Sequence, residues 1–142
     1  CIDGVFAVYY VGQNDVLRVI DDEPNKAEYM AKVIQAWADL KAEIENTLSR
    51  IKKDPKPKIL FVAVALAPVQ DKVKGSKYIN AATAKLNASI PKAPSAEYVR
   101  VDAGDIDDNL RADDGFHFGK QGATDMSALI WTPVEGFLES TK

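Results

Sequence analysis

The chain has 142 residues, 46% hydrophobic and 27% charged, with a formal net charge of −3. That is the composition of an ordinary globular domain, and the length fits a single one. There is no basic footprint for nucleic acid, no apolar run of about 18 residues to make a membrane span, and one cysteine, Cys1, which excludes an internal disulfide and a cysteine-based zinc site.

The chain opens on Cys1 rather than Met and enters an apolar run almost at once. No signal peptide is visible, so a leader or a larger N-terminal segment is expected to have been removed. A lipid on Cys1 is disfavoured, because no tether separates it from the first strand. Residues 4–12, GVFAVYYVG, are β-branched and aromatic and bounded by glycines. Such a run suits a strand buried on both faces of a parallel sheet. It ends in the polar turn Gly12-Gln13-Asn14-Asp15. Open α/β sheets bind their ligands at that carboxyl edge. A polar, acidic loop is predicted over 16–24.

A long helix is predicted over 25–53, capped by Asn25 and stopped by Asp54-Pro55-Lys56-Pro57. Its apolar positions Tyr29, Val33, Trp37, Leu40, Ile44, Leu48 and Ile51 recur every three or four residues and so line one face. Residues 58–66, KILFVAVAL, form a second buried strand ended by Pro68. A loop follows over 69–76. A helix is then predicted over 77–90, with Tyr78, Ala81, Ala82 and Leu86 inward. Residues 97–101, EYVRV, make a shorter, more polar strand nearer a sheet edge. An aspartate-rich loop over 102–114 leads to a last helix over 120–138. That helix carries Met126, Leu129, Ile130, Val134 and Phe137, and Pro133 is expected to break or kink it. The alternation of strand and helix predicts an α/β domain: a parallel sheet with helices on its faces and right-handed crossovers.

Asp114-Gly115-Phe116-His117-Phe118 contains the only histidine. Histidine is the side chain best suited to moving protons near neutral pH, and a carboxylate that fixes its tautomer is its usual companion in nucleophilic hydrolases. In a parallel sheet this loop and the Gly12–Asp15 turn fall on the same edge. An asparagine amide there can donate to a developing oxyanion. The bland alternative is solvated surface. The aspartates 102, 105, 107, 108, 113 and 114 include a D-x-D-x-N start, but the glycine and closing glutamate of an EF-hand are missing. They read as turn formers and solvated charge, and no metal or cofactor is called for.

Gly12-Gln13-Asn14-Asp15 resembles the G-x-N-D block of the SGNH (GDSL-like) hydrolases. Asp114-Gly115-Phe116-His117 resembles their C-terminal D-x-x-H block, with Phe118 and Gly122 matching its continuation. The resemblance spans nearly the whole chain, and the D-G-x-H-F wording is nearest to the carbohydrate O-acetyl esterases. It implies a three-layer α/β/α fold with a flavodoxin-like sheet, of which this chain supplies about the last three strands. It also implies His117 as catalytic base, Asp114 as its orienting acid (Asp113 is a rival that the spacing disfavours), Asn14 as oxyanion donor and Gly12 as the point of close backbone approach. A serine ester hydrolase follows, with an acetylated glycan as the implied substrate and an extracellular location as the implied setting.

The family's G-D-S nucleophile block is absent. Ser49, Ser76, Ser89, Ser95, Ser127 and Ser140 have neither a G-D-S nor a G-x-S-x-G context, and Cys1 is a poor candidate. In the family the first strand would lie beside residues 4–12, which here become a bare apolar edge prone to aggregation. The expectation is therefore a C-terminal part of a longer hydrolase, with the serine on a companion N-terminal polypeptide or an N-terminal portion outside this chain. The rival reading, motivated by the absent nucleophile, is a non-catalytic carbohydrate-binding or structural domain on the same scaffold. A flavodoxin-like or response-regulator-like domain shares the α/β pattern but finds no nucleotide-binding glycine loop here.

Overall fold

A computed structural model describes residues 4–20, 26–52 and 54–142. The central strand is β2 (Lys58–Ala65), flanked by β1 (Gly4–Tyr9) and β3 (Tyr98–Asp102). Both pairings are parallel, with Val5 opposite Ile59 and Tyr9 opposite Ala63 on one side, and Phe61 opposite Tyr98 and Ala65 opposite Asp102 on the other. The helices are α1 (Gln13–Leu17), α2 (Lys26–Ser49), α3 (Ser76–Ser89) and α4 (Lys120–Ser140). Among the described residues no helix is long and apolar enough to cross a membrane.

Successive residues of a strand point to opposite faces, and β2 feeds two cores in this way. Phe61, Ala63 and Ala65 pack with Tyr9, with Val33 and Trp37 of α2, and with Ile79, Ala82 and Leu86 of α3. Leu60, Val62 and Val64 pack with Val101 and with Met126, Val134 and Phe137 of α4. A strand covered on both faces can be apolar at every position, as ILFVAVA is after the exposed Lys58. The Tyr9 hydroxyl donates to the Trp37 carbonyl at 2.9 Å, tying β1 to α2. Its burial pushes the phenol pKa up to about 12.

Beyond β2 the chain is held by side chains acting as backbone. Asn87 of α3 accepts from the Leu66 N–H and donates to the Leu66 carbonyl. Asn80 does the same to Val69. These pairs fix Pro68 at the carboxyl end of the sheet.

Among the described residues β1 pairs with β2 alone, so its outer edge has no strand beside it. The register puts Phe6 and Val8 on the α4 face with Leu60 and Val62, yet they are 41% and 42% exposed. Helix α4 closes on β1 only at its start, where a Cβ on Gly4 would lie 2.9 Å from Thr141 Cγ2 and 3.1 Å from the Phe137 ring.

Several elements differ from their sequence reading. Strand β1 stops at Tyr9, short of residue 12. The predicted turn and the described part of the loop that follows are instead helical, as α1 and a 3-10 turn over Arg18–Ile20, while residues 21–24 of that loop lie outside the described residues. The Val16 N–H bonds back to the Gly12 carbonyl, and Val16 and Val19, one turn apart, are buried. Asn25, predicted as a cap, and Cys1 lie outside the described residues. Helix α2 ends at Ser49, where the Thr47 and Ser49 hydroxyls turn back onto the Glu43 and Asn46 carbonyls. Its Leu40 is not core: it is 43% exposed and lines an open cleft of about 300 Å³ with Tyr9, Val33 and Trp37, flanking β1.

The buried stripe of α3 is Ile79, Ala82, Thr83 and Leu86, while Tyr78 and Ala81 are exposed. That stripe keeps helical spacing and buries the bulkier aliphatic side chains. Tyr78 lies instead under the Lys26 ammonium, 3.8 Å from its ring centroid. Helix α4 runs through Pro133 without the break that was one of the two outcomes expected there. Proline forfeits one hydrogen bond to the preceding turn, and burial of Val134 and Phe137 just beyond it offsets that loss.

Leu86→Ala is expected to cost roughly 3 kcal/mol, and Leu40→Ala less than about 1 kcal/mol, in urea unfolding of the two variants. The reverse order would contradict the assignment of the buried faces.

Candidate active site

Strand β3 hands the chain to two 3-10 turns, Ala103–Asp105 and Asp108–Leu110. The Asp107 carboxylate caps the second by accepting the Asn109 N–H at 2.9 Å. The chain then doubles back on itself. Arg111 and Phe118 form an antiparallel bridge, the Ala112 N–H donates to the His117 carbonyl at 2.8 Å, and the Gly119 N–H donates to the Leu110 carbonyl at 2.8 Å. At the tip, Gly115 adopts a φ of +72°, and the loop after β2 meets it there through the Gln70 N–H, which donates to the Gly115 carbonyl at 3.0 Å. A Cβ on Gly115 would combine left-handed strain with a 2.8 Å approach to Lys72.

This tip builds a histidine–carboxylate pair. Asp114 Oδ1 accepts the N–H groups of Phe116 at 2.8 Å and His117 at 2.9 Å. Its Oδ2 lies 2.5 Å from His117 Nδ1. The bond from His117, with the two backbone donors, holds the Asp114 carboxyl at about 2, below its ordinary 3.8. In a neutral imidazole, a proton on Nδ1 shared with the Asp114 carboxylate leaves the lone pair on Nε2. The His117 side chain is 69% exposed, with its ring edge against Phe116 at 4.4 Å between centroids. Asp113 is exposed and makes no hydrogen bond to the ring, so Asp114 is the partner.

Gly12 and Asn14 stand at the carboxyl end of β1. Gly12 has a φ of +103°, and a Cβ there would meet Leu86 Cδ2 at 2.8 Å. Only glycine satisfies both the backbone and the close approach to α3. Asn14 lies in the first turn of α1 rather than in a loop. Its amide is exposed and makes no hydrogen bond among the described residues. Gln13, beside it, donates to the Tyr10 hydroxyl at 2.5 Å. Burial raises the Tyr10 pKa, while the nearby charge of Arg111 and the Gln13 bond act the other way. Asp114 and His117 are in contact. Asn14 and His117 share the sheet edge but no hydrogen bond.

Sequence reasoning missed Arg111, which donates to the Phe116 carbonyl at 2.8 Å and the Pro68 carbonyl at 2.7 Å. An arginine inside an aspartate-rich loop was the available signal. The aspartates there have local work: Asp102 accepts from Arg100 at 2.7 Å, Asp107 caps a turn, and Asp108 faces Arg111. Among the described residues no group of three or more histidine, cysteine or acidic side chains is placed to hold a metal ion.

None of the six serines reaches His117. The hydroxyls of Ser49, Ser89, Ser127 and Ser140 donate to carbonyls within their own helices, and that of Ser76 to Asp71 at 3.4 Å. Ser95 accepts the Glu97 N–H. No protein-family model, curated protein or solved structure matches the chain.

The lowered Asp114 pKa has a defined consequence for acid stability. Its native interactions are fully present above the ordinary carboxyl value of 3.8 and are lost as pH falls through about 2. Carboxyl ¹³C titration is expected to show Asp114 near the lower value, and in His117→Ala it should move back toward the ordinary one. A midpoint unchanged by that substitution would contradict the hydrogen-bonded pair.

Proposed function

We propose that this chain is the histidine–aspartate part of a serine ester hydrolase of the SGNH type. The single observation that carries the reading is the Asp114–His117 contact at the carboxyl edge of a parallel sheet, with Nε2 left open. Gly12 and Asn14 at the same edge, in the order of the family's G-x-N-D block, support it. The bare edge of β1 and the exposed Phe6 and Val8 support a larger flavodoxin-like, three-layer sheet, extended there by a companion N-terminal segment that carries the nucleophilic serine.

The chemistry then runs as acyl transfer to water. The companion serine attacks the ester carbonyl while His117 Nε2 takes its proton, and Asp114 stabilises the resulting imidazolium through Nδ1. The Asn14 amide donates to the oxyanion, with Gly12 letting the backbone come close. Collapse expels the alcohol, which receives the proton from Nε2. Water, deprotonated by the same nitrogen, then releases the acid from the acyl-enzyme. An O-acetylated carbohydrate is the substrate that the D-G-F-H-F wording favours.

In the complete assembly, His117→Ala should lower ester turnover by at least roughly 1000-fold, followed with a chromogenic acetate ester. Near wild-type turnover would remove the assignment. A second reading has one observation in its favour, the absence of any serine at His117: a glycan-binding or structural domain. It predicts saturable binding of an acetylated oligosaccharide with no release of acetate.

A further inference from the structure

The Arg111 side chain is only 4% exposed, yet no carboxylate hydrogen-bonds to it. Asp108 stands 3.7 Å from Nε, too far for a hydrogen bond, and Nε has no partner. A buried guanidinium with a spare N–H and a loosely held counter-charge is an expensive arrangement. What the arginine does make is specific. Nη1 donates to the Phe116 carbonyl at 2.8 Å, Nη2 donates to the Pro68 carbonyl at 2.7 Å, and the guanidinium lies over the Phe118 ring at 4.3 Å from its centroid.

Phe116 and Phe118 are the two chain neighbours of His117. Pro68 belongs to the segment that Asn80 and Asn87 clamp to α3. We infer that Arg111 is a positioning residue for His117: it holds the Phe116 carbonyl on one side of the imidazole and the Phe118 ring on the other, and ties that hairpin to the fixed loop beyond β2. This rests on the reading of His117 as the catalytic base. The planar fork is required, since a lysine ammonium is a point charge that cannot bridge two carbonyls while stacking on a ring.

The test is the ring ¹⁵N and Nδ1 proton spectrum of His117 in the intact protein, assigned by its disappearance in His117→Ala. Wild type should show one set of ring signals and an Nδ1 proton bonded to Asp114. In Arg111→Lys that proton should be lost to exchange and the ring signals averaged, while amides of β2 and α3 stay in place. Ester turnover should show kcat reduced roughly 100-fold with KM little changed. Unchanged His117 signals in folded Arg111→Lys overturn the inference. Should that variant fail to fold, Phe118→Leu removes the ring face alone, and His117 signals unmoved by it overturn the inference equally. Altered ring signals, in a wild-type assembly that hydrolyses no ester, would leave Arg111 as the positioning residue and reject the esterase reading.

Discussion

The parallel pairing of β2 with both of its neighbours is the constraint on which everything else depends. Because β1, β2 and β3 run the same way, the chain leaves each strand at one edge. Three separate sequence segments therefore meet there: Gly12 to Asp15 after β1, the Pro68 segment after β2 and the histidine hairpin after β3. The apolar run of β2 makes this possible, since alternate residues supply the cores of both faces. An antiparallel β3 would have sent the hairpin to the opposite end, away from Tyr10 and Pro68.

Within that frame the histidine is set by very local chemistry. One carboxylate, Asp114, takes two backbone N–H groups with one oxygen and the imidazole with the other. The loop shape and the ring orientation are thus the same set of bonds, and glycine at 115 permits the turn. Arg111 performs the longer-range task, joining this self-contained loop to the rest of the sheet edge. Among the described residues the outer edge of β1 has no strand beside it, and the Leu40 cleft next to it is open. A nucleophile arriving on a strand beside β1 would complete both the core and the chemistry.

Much of this was legible in the residues. The β-branched runs marked the strands, and the alternation of elements predicted the parallel sheet. Asp114 three positions before His117 anticipated the contact. Boundaries and faces were less legible, for physical reasons. Gln13 to Ile20 looked like a loop because its polar residues hide the turn that buries Val16 and Val19. Leu40 fits a helical stripe, but whether a stripe is covered depends on a neighbour, and among the described residues β1 has none on that side. Tyr78 and Ile79 both suit an inward position on α3, and only packing decides between them. Pro133 was read by its local cost, which the burial on its far side outweighs. Arg111 was hidden because its partners are backbone carbonyls, which carry no residue-type signal.

The central claim is that His117 serves a serine lying outside these 142 residues. Labelling the natively purified protein with a fluorophosphonate probe, followed by peptide mapping, tests it most directly. The account predicts a single modified serine, in a Gly-Asp-Ser context, on a segment that co-purifies with this chain. Labelling on one of the six serines of this chain, or on no serine at all, would contradict it.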